Sequence, residues 1–370
     1  MRNTQIYIDS SALVHNLQRV RQLAPRSKIV SMVKSNGYGH GVEQVCKALK
    51  DSDAFGVACL EEAIDIRQFN SHTPISLMEG VFSLQDQELA IAYRCECAIH
   101  HQAQLDWLLH YQHDYQQHNL KVWVKLNSGM NRLGFSPAEC IDVLQQLHQR
   151  GFKCVLTMHF ANADDEMHPL NAQQIQQLRH VQQQCPFAEV SCCNSAAIFN
   201  WSDLHFDYVR PGIMLYGSSP FAERSAHDLG LRPAMIFTTD IIALHQLGIG
   251  EKVGYGSSVT TQRKTTLAII AVGYGDGYPR AYQQQNYVSI DGHAVPLFGR
   301  VSMDMSMIDV TDLIAQGVDV QVGTFVELWG QHRSVDDVAA CNGTIGYELL
   351  CRVTQRPYRV FGMADFRDCF

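Results

Sequence analysis

The chain has 370 residues, 46% hydrophobic and 18% charged, so it can bury a large core and is long enough for two domains. Its net charge of -8 argues against a general nucleic-acid binder. No apolar run approaches the length of a membrane span, and Met1 to Asp9 carry no signal-peptide core, so no membrane partner and a cytoplasmic location are expected.

A helical pattern over 10–23 comes first. Short apolar runs follow over 28–34, 54–59, 74–79, 95–100, 122–126, 154–159, 189–193 and 206–210. Between them lie amphipathic stretches, such as 84–94, 102–118, 137–150 and 171–184, with apolar residues three or four apart. Eight strand–helix units predict an α/β chain with a (β/α)8 TIM-type barrel over 1–230. A doubly wound open sheet is the alternative, and the even spacing favours closure. Near Leu231 the pattern changes to strand-like runs over 235–244, 266–272, 287–290, 293–298 and 324–328, with Asp291-Gly292 as a hairpin signal. Helical stretches over 335–341 and 345–353 close a smaller, mainly β domain over 231–370. The twelve cysteines fall mostly in apolar segments, and neither Cys95-Glu96-Cys97 nor Cys192-Cys193 has zinc-ligand spacing. All twelve read as reduced thiols, and no metal is expected.

Several expected barrel strands end in a polar residue: Lys34, Glu79, His159 and Arg210, with Lys125 near the end of the fifth and Asn194 just after the seventh. A barrel gathers such ends on one rim, where active sites of this architecture sit. Lys34 opens the glycine-rich turn Lys34-Ser35-Asn36-Gly37-Tyr38-Gly39-His40-Gly41. A lysine among apolar neighbours at a strand end is a candidate Schiff-base lysine, although a lone lysine beside glycines is more often a surface residue. Tyr38 can offer its hydroxyl to a phosphate. Ser195, in Asn194-Ser195-Ala196-Ala197, reads as a helix N-cap, an anion ligand, or both. Arg210 cannot surrender its proton, so against a pyridine nitrogen it can only donate, and Gly212 and Ile213 can offer backbone N–H groups to a phosphate. His159 can stack on a ring or orient Arg210. Arg132 can clamp a carboxylate or a phenolic oxygen.

The run from Val33 to Gly41 closely resembles the cofactor-lysine motif of bacterial alanine racemases, and further family-like runs cover nearly the whole chain. The resemblance implies pyridoxal 5'-phosphate on Lys34, with phosphate ligands at Tyr38, Ser195, Gly212, Ile213 and Tyr347, and Asn194 beside them. It implies a carbamate on Lys125 orienting Arg132, although the family's usual Asp-Thr is Asn127-Ser128 here. Lys252-Val253-Gly254-Tyr255-Gly256 matches the segment of the second catalytic base, Tyr255, opposite Lys34. Met303 matches the residue whose backbone N–H meets the substrate carboxylate. The family works as a homodimer with active sites shared between subunits. The expected activity is interconversion of L- and D-alanine, supplying peptidoglycan. Alternatives are a racemase of the same family acting on serine or lysine, a related barrel-plus-β decarboxylase, against which Arg210 argues, and a single-barrel cofactor carrier, against which the Tyr255 segment argues.

Overall fold

The computed structural model of the chain describes residues 2–280 and 286–362. Among these, eight parallel strands close into a barrel: Lys28–Met32, Ala54–Val57, Ile75–Leu77, Cys95–Ile99, Lys121–Lys125, Lys153–Thr157, Glu189–Ser191 and Tyr208–Val209. The last pairs with the first, Ile29 against Val209, so no edge is left. Closure decides against the open sheet. Helices cover the barrel strands, which are therefore buried on both faces and read as nearly continuous apolar runs. Inside, Val30, Ala54, Ala98, Trp123, Val155 and Tyr208 form one packed cluster. Among the intervening helices are Leu84–Ala92, Pro137–Gln149 and Pro169–Gln184. Ser136 and Glu139 form a capping box that fixes where Pro137–Gln149 starts. The expected helix over 102–118 is broken at Tyr111 into Gln102–His110 and Gln112–Gln117.

A second compact unit takes the described residues up to Leu13, Tyr216–Ser219 and the described residues from Ala226 onward. Its main sheet runs His293–Pro296, Tyr287–Ile290, Phe325–Trp329, Met235–Leu247, Gln5–Asp9 and Tyr358–Gly362. Thr265–Ile270 and Ser306–Asp309 branch from Met235–Leu247. Asp291 and Gly292 turn the hairpin with φ of 50° and 82°, the left-handed pair that a two-residue type I′ loop requires. The amino-terminal strand pairs antiparallel with Met235–Leu247 and parallel with Tyr358–Gly362. All the described cysteines are free thiols, and Cys369 lies outside the described residues. No helix among the described residues is long and apolar enough to cross a membrane.

Candidate active site

The polar residues expected at strand ends sit one or two positions past the last strand residue. Lys34 follows Met32 by two, Glu79 follows Leu77 by two, His159 follows Thr157 by two, and Arg210 follows Val209 by one. Lys125 ends its strand. All therefore lie on the carboxyl-terminal rim of the barrel.

Lys34 enters an unusual backbone. Ser35, Asn36, Gly37 and Tyr38 have φ of 53°, 53°, 62° and 51°, one turn of left-handed helix in which only one residue is glycine. Left-handed helix costs about 1–2 kcal/mol per non-glycine residue, so this turn must be held by its surroundings. The N–H of Gly39 donates to Ser35 O at 2.9 Å and that of Gly41 to Asn36 O at 2.9 Å. Asn36 Oδ1 accepts from the Val42 N–H at 2.9 Å, and Glu62 Oε1 accepts from the Ser35 N–H at 2.6 Å. The reversal buries Tyr38 and brings its hydroxyl against Gly212, where an added Cβ would stand 2.6 Å from Tyr38 Oη. Any side chain at that position would have to displace the Tyr38 hydroxyl.

Asn194, not Ser195, is the helix N-cap: its Oδ1 accepts from the Ala197 N–H at 3.0 Å. The capping expectation for Ser195 is corrected accordingly. Relieved of that duty, Ser195 Oγ accepts from the Gly212 N–H at 2.9 Å and from the Met214 N–H at 3.4 Å. Its own hydroxyl hydrogen stays available to donate. Tyr38, Ser195, Gly212 and the buried start of the turn Ile213–Tyr216 thus enclose one small polar cradle, in which the Gly212 N–H is engaged by Ser195 Oγ.

Arg210 is buried, with Nη1 donating to Ser191 Oγ at 2.5 Å and Nη2 to the Met158 carbonyl at 2.6 Å. Ser191 Oγ in turn donates to Tyr208 O at 3.0 Å. These bonds use two of the five guanidinium N–H donors, and the single N–H of Nε is among those left. The side-chain hydrogen bonds of Arg210 to Ser191 and to the Met158 carbonyl, rather than the His159 ring, hold its orientation. Burial, then Arg210, Arg132, Lys125 and Lys34, push the His159 imidazole down to about 3, so it is neutral at any working pH. A neutral ring can stack but carries no proton to deliver.

Burial, then Arg210 and Arg132, with a smaller part from Lys34, push Lys125 down to about 8 against the opposing pull of Glu79. Arg132 is exposed on the loop after the Lys125 strand and lines an open cleft with Lys125, Met158 and His159. Asn127 supplies the loop's acceptor, taking the N–H groups of Gly129 at 3.2 Å and Asn131 at 3.0 Å through Oδ1. An amide oxygen here does what a carboxylate oxygen would. Ser128 accepts from Gln174 Nε2 at 3.0 Å, and the same amide reaches His159 O at 3.0 Å. Glu62, Ser191 and Gln174 escape a reading by motif, because each acts through a neighbour far away in sequence.

Tyr255, Met303 and Tyr347 belong to the β unit. Tyr255 is 70% exposed and opens the turn Tyr255–Ser257 between Gly254 and Gly256, both left-handed at φ of 71° and 70°. The Met303 carbonyl accepts the Gly275 N–H at 2.9 Å, and a Cβ on Gly273 would come within 2.3 Å of it, so the glycines of Gly273-Tyr274-Gly275 seat this loop. Tyr347 is half-buried in the first turn of Gly346–Arg352.

The fold sets the class first: a closed eight-stranded barrel joined to a smaller, mainly β unit. Two family models divide the chain between them, "Alanine racemase, N-terminal domain" over residues 8–220 and "Alanine racemase, C-terminal domain" over 234–361. The alanine racemase of Psychrobacter sp. (strain PRwf-1) is 45% identical, covering 97% of this chain and 99% of its own. The structure of alanine racemase from Acinetobacter baumannii superposes with a TM-score of 0.95 at 58% identity, covering 98% of this chain and 100% of that one. Alanine racemase from Bartonella henselae with covalently bound pyridoxal phosphate gives 0.86 at 29% identity, with 98% and 100% covered. The chain belongs to the alanine racemase family.

Proposed function

We propose that this protein is a pyridoxal-phosphate-dependent isomerase that interconverts L- and D-alanine, with Lys34 and Tyr255 as its two bases. Family membership over both domains carries the reaction class. The residues on the barrel rim fit the cofactor. Tyr38, Ser195 and the backbone of Gly212 and Ile213 form a cradle suited to a phosphate, which would take over the Gly212 N–H now held by Ser195 Oγ and use the room that a Cβ on Gly212 would take. Four cations, Lys34, Lys125, Arg132 and Arg210, act on Lys125 and His159, with Glu79 opposing them at Lys125, a balance that favours anionic occupants. When bound, the cofactor draws electron density from the substrate α-carbon and makes its proton easier to remove.

Lys34 Nζ would hold the cofactor and, when free of it, would move the proton on the D-alanine face. Tyr255 moves the proton on the L-alanine face. Arg210 would donate from Nε toward the pyridine nitrogen, and because a guanidinium keeps its proton, it would leave that nitrogen unprotonated and discourage side reactions. His159, neutral, stacks beside the ring. Asn194 caps the helix that presents Ser195. Tyr347 binds the phosphate from the second domain and narrows the entrance. Arg132, steadied by a carbamate on Lys125, and the Met303 N–H hold the substrate carboxylate. The working form is a homodimer in which Tyr255 faces the partner's Lys34. By role, 1–230 is taken for cofactor binding and 231–370 for the second base, although the strand Gln5–Asp9 packs in the sheet of the β unit. The protein acts in the cytoplasm, and its D-alanine serves peptidoglycan.

The test incubates purified protein and pyridoxal phosphate with each L-amino acid and follows loss of optical activity by circular dichroism. Alanine is expected to be strongly preferred and serine weakly active, because one methylene-sized difference is worth only ~1–3 kcal/mol in an apolar pocket. Comparable kcat/KM for lysine would refute the alanine assignment in favour of a broad-specificity racemase.

A further inference from the structure

We propose that Glu62 is a positioning residue for the cofactor lysine. Its carboxylate is the tie between the left-handed turn after Lys34 and the neighbouring barrel strand, and it thereby sets the aim of Lys34 and the seat of Tyr38. The statement about aim rests on the reading of Lys34 as the cofactor lysine; the statement about the turn does not.

The turn closes upon itself from Asn36 onward. Gly37 N–H donates to Val33 O at 2.9 Å, His40 N–H to Gly37 O at 3.0 Å, and the Asn36 side chain holds Val42. These bonds all lie within one stretch of chain, so they can move as a body. Ser35 is the first left-handed residue, at φ 53° and ψ 50°, and its N–H goes outside the stretch to Glu62 Oε1 at 2.6 Å. The second oxygen, Oε2, accepts from the Ala58 N–H at 2.9 Å, just past the strand Ala54–Val57. That strand is the ladder partner of the Lys34 strand, with Met32 against Gly56 and the Val33 N–H on Gly56 O at 2.9 Å. One carboxylate therefore staples the ends of two adjacent strands at the point where one of them reverses hand.

Glu62 stands at the third position of the helix Leu60–Arg67, whose N-cap, Cys59, makes no side-chain cap. A glutamate there commonly reaches back to its own N-cap N–H. Here both oxygens serve other residues. Acceptance of two backbone N–H groups needs both oxygens as acceptors, which a carboxylate offers and a carboxamide does not.

The left-handed turn also explains why a tie is required. A serine and an asparagine at positive φ tend toward right-handed backbone, and release of the Ser35 N–H frees the first of them to relax. Relaxation at Ser35 rotates everything after it, including Tyr38, whose hydroxyl has been fitted against the bare Gly212.

The experiment uses the full-length holoprotein with Glu62→Gln, Glu62→Ala, the neighbouring control Glu61→Gln, and Glu62→Ala combined with Ser35→Gly. Three quantities are read: the dissociation constant of pyridoxal phosphate, amide hydrogen exchange of the 34–41 peptide with and without cofactor, and kcat and KM for alanine. Two charge-assisted hydrogen bonds are lost in Glu62→Ala, so cofactor binding is expected to weaken by about 10–100-fold, and by about 10-fold in Glu62→Gln. Exchange at 34–41 rises while peptides of the β unit are unchanged, and kcat falls more than KM rises. Glycine carries no penalty at positive φ, so Ser35→Gly restores roughly ten-fold of the lost affinity, which a general loss of stability would not permit. Unchanged exchange at 34–41 in Glu62→Ala, an equal loss in Glu61→Gln, or no rescue by Ser35→Gly overturns the proposal. Borohydride labelling of the unaltered holoprotein separates the two readings. A label on another lysine overturns the functional assignment and the aim of Lys34 with it. A label on Lys34 with cofactor affinity unchanged in Glu62→Ala overturns this proposal alone.

Discussion

The two rims of the barrel use the same residue types to opposite ends. At the amino-terminal rim, Lys28, Lys121, Glu189 and Tyr208 are each the first residue of a strand, and they satisfy one another. Lys28 Nζ lies 3.4 Å from Glu189 Oε1, while Lys121 contacts both Glu189 Oε2 and the Tyr208 hydroxyl. Burial alone would push the Glu189 carboxyl up, but the bond and charge of Lys121, with help from Lys28, bring it below the usual carboxylate value. Under this network, Glu96 accepts from the Trp123 indole at 2.8 Å and from Ser76 at 3.2 Å, and burial raises its carboxyl. At the carboxyl-terminal rim, Lys34, Lys125, Arg132 and Arg210 cluster, and burial, reinforced by their positive charge, drives Lys125 and His159 down, with Glu79 opposing the shift at Lys125. A rim whose charges are paired among themselves closes the barrel. A rim that leaves its cations without counter-charges is arranged for something anionic to arrive.

The largest effects should come from breaking the open rim. Lys34→Ala and Tyr255→Ala should each be inactive; loss of a positioned base alone removes about 10²–10⁴-fold. Mixed under conditions of subunit exchange, the two dead variants should regain activity, because one site of each heterodimer collects both lesions and the other none. Confirmed heterodimers with no recovery would show that both bases come from one chain.

Next in size is Ser191→Ala. It removes one of the two side-chain bonds that hold Arg210, and a buried hydrogen bond to a charged group is worth about 1.5–3 kcal/mol. The expected outcome is roughly a ten-fold or greater fall in kcat, measured by steady-state racemisation, with little change in KM. An unchanged kcat would mean that Met158 O alone is enough to aim the guanidinium.

Lys125 offers a test by pH. Only the neutral amine reacts with carbon dioxide, and its value of about 8 makes that form abundant above pH 8 rather than above the ordinary 10.5. A carbamate also places negative charge among cations. Carbon-13 NMR of protein in labelled bicarbonate should show a carbamate signal that grows through about pH 8. No signal at pH 9 would remove the modification from the site.

The closed rim should yield the smallest effect. Glu189→Gln leaves catalysis untouched and costs stability of only about 0–1 kcal/mol, since the pair is partly solvated. The sign follows from the lowered carboxyl: the stabilisation is present above the ordinary carboxylate value and lost as pH falls through the lower folded value. Chemical denaturation at pH 7 and pH 3 measures it. A large loss of activity in this variant would break the contrast between the rims.

The barrel was legible in the sequence because strands buried on both faces leave uninterrupted apolar runs, such as Ala54–Val57 and Cys95–Ile99. Asp291-Gly292 was legible because a tight hairpin admits so few residues. The strand Gln5–Asp9 escaped notice as a member of the β sheet: its partners, at Met235–Leu247 and Tyr358–Gly362, lie more than two hundred residues away, and nothing local marks a pairing. Tyr358–Gly362 was missed for the same reason, and Ser306–Asp309 because a four-residue run with a polar residue at each end carries too short an apolar pattern. At the site, residues that would touch a ligand announce themselves by type and place, as Lys34 and Arg210 do. Residues that aim them do not. Ser191 reads as one more strand serine and Glu62 as one more helical glutamate until the fold brings each to its partner. Even the left-handed course of 35–38 was hidden, since a glycine-rich stretch suggests looseness and the structure instead shows an ordered turn of unusual hand.

The most direct measurement of the open rim's purpose is borohydride reduction of the protein loaded with pyridoxal phosphate, followed by peptide mapping. The reduced cofactor should be found on the peptide containing Lys34 and nowhere else, in a protein that is yellow beforehand and loses that band on reduction. Labelling on Lys125 or any other lysine, or a protein that takes up no cofactor at all, would contradict it.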